Sequence, residues 1–108
     1  MNAEMEAVQY GAVISRSPNM EPRFWNGEVA LFDETSAAIE GEDHVVRFKS
    51  GACQLRLLVS LNQRGLVLAT YSPREEAAVP WEEIESIHPV QMRMHVSDLP
   101  EGHREEAT

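Results

Sequence analysis

Apolar residues in this chain recur mostly with a period of two, in short runs cut off by Gly, Pro, Asn or Asp. That alternation sends successive side chains to opposite faces of an extended backbone, which is the signature of β-strands. Six segments carry it: "GAVISRS" (11–17), "EVALFD" (28–33), "HVVRFKS" (44–50), "CQLRLLVSL" (53–61), "LVLATY" (66–71) and "SIHPVQMRMHV" (86–96). In the second, Val29, Leu31 and Asp33 share one face and Ala30 and Phe32 the other. The fourth and fifth pair as a hairpin across "NQRG", and Gly51 closes the third. Pro89 marks an edge or a bulge in the sixth. "MEPRFW" (20–25) predicts a helical turn, with Pro22 in its first turn, and "PWEEIE" (80–85) predicts another. The expected architecture is mostly β, with six or seven short strands and one or two helical turns.

A length of 108 residues makes this one domain with a single modest core. Residues 1–9 and 98–108 are polar and acidic and are expected to be flexible, leaving 10–97 as the folded unit. The net charge is −9, and the nine Lys and Arg are scattered without a run that could follow a phosphate backbone. Direct nucleic-acid binding is therefore not expected. One cysteine, Cys53, excludes an internal disulfide framework and fits a reducing compartment. There is no signal-peptide pattern at "MNAEMEAVQY" and no apolar run of membrane-spanning length, so the expectation is a soluble, cytoplasmic chain.

"SPNMEPRFWNGEVALFD" (17–33) contains a small-residue turn, then Met20-Glu21-Pro22, a spacer, Gly27 and an apolar strand ending on Asp33. It resembles the C-terminal domain of the LexA/lambda-repressor/UmuD family of self-cleaving serine–lysine peptidases. The family reads Gly-Asp-Ser-Met-Glu-Pro, a spacer, Gly-Asp and an apolar strand. The likeness continues through "IEGEDHVVRFKSG", similar to the family's Gly-Asp-x-Val-Val-Val strand, and through "CQLRLL", where the family has apolar-Lys-Arg-Leu. "LVLATYSPREEAAVP" and "WEEIESIHPV" resemble the family's closing segments, so the resemblance spans residues 10–95. It implies a LexA/signal-peptidase-like β fold.

In that family a serine attacks a peptide bond and a buried neutral lysine takes the proton. Position by position, the resemblance puts the serine on Asn19 and the lysine on Leu55. A carboxamide is no competent nucleophile and an aliphatic side chain accepts no proton, so the chain reads as a pseudo-peptidase rather than an enzyme. Ser17, Met20, Glu21, Pro22, Gly27, Asp33 and Arg56 are the remaining motif or peptide-groove residues. A relocated dyad of Ser17 with Lys49 is the alternative, and it needs two independent displacements. Arg56, beside the lysine position, stays protonated and makes no base. A polymerase accessory subunit of the UmuD type is a further alternative, though that branch keeps the dyad.

Other residues read more plainly. Cys53 is a small strand residue, and His44, His88, His95 and His103 lack metal-ligand spacing, so neither metal nor cofactor is expected. Glu75, Glu76, Glu82, Glu83 and Glu85 read as a solvated face. Trp25 and Trp81 either plug the core or mark a contact surface. Val90, Met92 and Met94 alternate on the last strand and could pair with a partner's strand at a sheet edge. The implied partners are a second copy or a LexA/repressor-type protein, in prophage or SOS regulation, with no membrane and no small-molecule substrate.

Overall fold

The period-two runs are realised as strands. In a computed structural model describing residues 9–100, 102, 103 and 105–108, eight strands build one curled sheet. They are β1 (Tyr10–Ser15), β2 (Val29–Asp33), β3 (Asp43–Phe48), β4 (Cys53–Leu61), β5 (Gly65–Tyr71), β6 (Arg74–Pro80), β7 (Ile84–Met94) and β8 (Glu106–Ala107). Their spatial order is β6-β5-β4-β3-β7-β2-β1-β8, and every pairing is antiparallel except β1 with β8. Helical structure among the described residues consists of the 3-10 turns Pro18–Met20, Trp81–Glu83 and Val96–Asp98. None of these is long and apolar enough to cross a membrane.

Alternation puts core on both faces of the sheet. In β2, Ala30 and Phe32 join Val13, Met20, Phe24, Val45, Leu55 and Ala107 in one cluster. Val29 joins Ala12 and Ile14 in a second, capped by Met94 and Leu99. A third forms under the hairpins from Val46, Leu58, Leu66, Leu68 and Ile84, with Trp81 packed against it. Trp81 also donates its indole N–H to Asn62 O at 2.7 Å, whereas Trp25 is 50% exposed. The β4–β5 hairpin turns as expected: Asn62 Oδ1 accepts from the backbone N–H of Arg64 and of Gly65. Gly65 is required there because a Cβ would lie 2.1 Å from the backbone oxygen of Val79 on β6.

Four expectations need correction. The first helical turn begins at Pro18 rather than Met20, because Ser17 caps it and Pro18 takes the opening position. Eight strands form instead of six or seven. "REEAAVP" has poor strand propensity, but as edge strand β6 it pairs with β5 along its whole length, from Gly65↔Pro80 to Tyr71↔Arg74. Nor does the end of the chain fray as expected: β8 pairs with β1, and Ala107 is 1% exposed. The expected flexible stretch 1–9 lies, Gln9 apart, outside the described residues.

The fourth correction concerns Val90, Met92 and Met94, which do not lie on an outer strand of the sheet. β7 stands between β3 and β2 and changes partner at Pro89, pairing with β3 through His44↔Pro89 and with β2 from Phe32↔Val90 to Val29↔Met94. Proline has no N–H to give a ladder, so it suits the residue where one ladder ends and another begins. The side of residues 90–94 that faces away from β2 has no strand partner among the described residues.

Candidate functional site

The turn that carries Asn19 is built by its neighbours. Ser17 is extended and its Oγ accepts from the Asn19 N–H at 3.3 Å, so this hydroxyl serves as a cap. Met20 is fully buried and pins the turn to the core, and Phe24 N–H closes it on Met20 O at 2.9 Å. Glu21 N–H bonds Pro18 O at 3.1 Å. Gly27 returns the chain toward β1 with φ at +96°, a left-handed conformation that glycine adopts freely, and its N–H bonds Ser15 O at 2.7 Å. Asn19 is tied down through its backbone, Ser72 N–H donating to Asn19 O at 3.0 Å. Its side-chain Oδ1 is buried and has no hydrogen-bond partner among the described residues.

Leu55 lies on β4 opposite Val45, is wholly inaccessible, and belongs to the same core cluster as Met20. Arg56 donates from its Nη1 to two main-chain oxygens, Leu55 O at 2.8 Å and Thr108 O at 2.7 Å, and burial lowers its pKa. Asp33 is a turn-maker. It accepts from Ser36 Oγ at 2.6 Å and from the Thr35 hydroxyl and N–H at 2.6 and 2.8 Å, and these bonds, Ser36 first, hold its pKa at about 2. Lys49 is exposed in the turn after β3, where its N–H bonds Glu83 O. No hydrogen bond or ion pair among the described residues joins it to Ser17.

The structure adds a polar network that the sequence did not announce. The carboxylate of Asp43, 4% exposed, accepts from Tyr71 Oη–H at 2.6 Å and from Arg23 Nε–H at 3.0 Å. Burial and this carboxylate push the Tyr71 pKa up, and the attraction of Asp43 raises that of Arg23. Arg93 reaches over from β7 and donates to Arg23 O at 2.8 Å. Arg23, Asp43 and Arg93 border a cleft of about 370 Å³ lined by residues 22–24, 42–43 and 90–93. Its wall is the unpaired side of β7, with Met92 55% exposed beside it. Residues 23, 43, 71 and 93 are far apart in sequence, so no local pattern could have linked them.

His44 is fully buried with both ring nitrogens engaged. Nε2 lies 3.1 Å from the Ile39 N–H and Nδ1 2.8 Å from Glu42 O. A backbone N–H only donates and a carbonyl only accepts, so the ring is neutral with its proton on Nδ1. Burial lowers its pKa below 6.5, and a second proton would face the Ile39 N–H. The unfolded chain therefore binds this proton first as the pH falls through about 6.5, and stability is lost from there down to the folded-state pKa. The unfolding free energy of the wild type, read by urea denaturation, is expected to fall between pH 7 and pH 5, by up to about 1.4 kcal/mol per pH unit for this site. His44→Gln should flatten the profile, leaving a residue of the same sign from His88, whose pKa burial and Arg47 also lower.

The other histidines serve locally: His95 Nδ1 meets Ser97, and His103 Nε2 meets Ala12 O. No group of three or more His, Cys, Asp or Glu among the described residues is placed to hold a metal ion. Burial, followed by Glu105, pushes the Cys53 thiol up to about 11, far from a reactive thiolate at neutral pH. The cleft offers a mainly polar lining, with Arg23 and Arg93 on it, beside an unpaired strand side, and a strand side without a partner is a means of holding an extended chain. Compared with known proteins, the chain matches no family model, no curated protein and no solved structure.

Proposed function

We propose that this chain is a catalytically inactive LexA-like peptidase-fold module that works by association, with itself or with a repressor-type protein, in cytoplasmic prophage or SOS-type transcriptional regulation. The observation that carries the reading is the pair of positions that the family resemblance assigns to the dyad. One holds Asn19, whose carboxamide is no competent nucleophile, and the other holds Leu55, an aliphatic side chain sealed in the core that accepts no proton. Support for association comes from the unpaired side of residues 90–94 and the cleft beside it, where a partner's extended segment could add as a strand. Val90 and Met94 pack against the chain's own core, so the contact proposed here runs through the backbone of residues 90–94, with the exposed Met92 beside it.

Intact mass and light scattering before and after long incubation at alkaline pH test the proposal. An unchanged mass and a dimeric size are expected. A discrete fragment would place a nucleophile elsewhere, with Ser17 and Lys49 the first pair to substitute. A strictly monomeric size at high concentration would refute self-association.

A further inference from the structure

The last residues of the chain lie in a slot between two strands. β1 offers its outer side, and Ile14 N–H and Arg16 N–H donate to Glu105 O and Ala107 O, each at 2.9 Å. Opposite it, β4 pairs with β5 only from Leu57 onward, which leaves the carbonyl of Cys53 free to accept from Thr108 N–H at 2.9 Å. The tail thus joins β1 to β4 and closes the curl of the sheet.

The side-chain contacts are selective as well. Arg47, on β3, grips the Glu105 carboxylate with two nitrogens at 2.8–3.0 Å. Arg16 holds Glu106 at 3.0 Å, and Arg56 donates to Thr108 O at 2.7 Å. Between them the methyl group of Ala107 enters the core cluster with Val13, Phe32 and Leu55, against Cys53. Read along the slot, the demand is for acid, acid, small apolar residue, then a main-chain oxygen.

We propose that this slot is a binding site for an extended acidic peptide of the form Glu-Glu-small-x, filled in cis by the chain's own residues 105–108. Its ligand is held by a two-residue strand, one buried methyl group and surface ion pairs that contribute a few-fold each, so it can leave without the sheet unfolding. A peptide of the same chemistry supplied in trans competes with a tail whose effective concentration is millimolar. Paired arginine–carboxylate recognition makes that competition dependent on salt and on the two acids. The inference stands on these contacts alone and goes beyond the association reading, because it holds whether or not the vacated dyad is catalytic.

The probe is the acetylated hexapeptide of residues 103–108, titrated at low salt into the isotope-labelled full chain and followed by NMR. The expected result is that Ala107 and Thr108 signals move to unstructured positions with saturation in the millimolar range, while Ile14, Cys53 and Val45 keep folded-state positions. A Glu105→Gln/Glu106→Gln chain should need several-fold less peptide, and a hexapeptide with Lys in place of both acids should not compete. If Ala107 stays in place at ten-millimolar peptide, or moves only together with Val45, the tail is an integral strand and the proposal fails. Equal peptide demand by the two chains would overturn its acidic specificity.

Discussion

Leu55→Lys is expected to cost about 4 kcal/mol of stability at pH 7 and far less at pH 10. The side chain at this position is wholly enclosed by Val45, Met20 and their neighbours. An ammonium group there loses its hydration and gains no partner, so its pKa falls by as much as 3–5 units below the ordinary lysine value of about 10.4. Between the two pKa values the unfolded chain carries a proton that the folded chain does not, so stability rises with pH across that window. Urea denaturation at pH 7 and pH 10 reads this directly. Leu55→Met, which conserves volume, is expected to lose less than about 1.5 kcal/mol at either pH. Equal losses for the lysine variant at both pH values would mean that its amine reaches water and that position 55 is not a closed apolar seat.

Phe32→Ala should be the most damaging truncation, at about 3–5 kcal/mol, with a fall in Tm of roughly 15–30 °C. The ring is fully buried at the centre of the largest core cluster, with the His88 ring 5.2 Å away and the Arg47 guanidinium over its face at 5.1 Å. It also fills the room left by Gly11, where a Cβ would lie 2.3 Å from the ring carbon Cζ. Removing it opens a cavity whose walls are strands of a closed curl and cannot collapse inward. Tyr10→Ala, one residue before that glycine but 56% exposed, should change stability by no more than about 0.5 kcal/mol. Thermal unfolding of the two variants side by side gives the comparison.

What could be read from sequence was what local pattern encodes. The alternation of 28–33 placed Ala30 and Phe32 on one face and Val29 on the other, as their two core clusters require. The "NQRG" turn was legible because Asn and Gly carry the turn's hydrogen bonds and conformations themselves. "REEAAVP" was not, because an edge strand takes its hydrogen bonds from β5 and buries little, so strand-forming side chains are not demanded of it. The tail "EEAT" looked frayed for a similar reason: its acids are fixed by Arg16 and Arg47, whose positions no window around residue 105 contains. The motif at 17–33 drew attention to Asn19 and "CQLRLL" to Leu55, while the Arg23–Asp43–Tyr71 network comes from three separate parts of the chain. Val90, Met92 and Met94 misled because alternation beside a proline fits a free border as well as a change of partner.

That change of partner at Pro89 has a mechanical side. One continuous strand gives its first half to the neighbours of β3 and its second half to those of β2. Two half-sheets that would otherwise loosen separately are riveted to a single covalent spine, and the tail clasps them again where β1 meets β4. Order lost in one half withdraws support from the other through the same eleven-residue strand, so melting should run through both as one event.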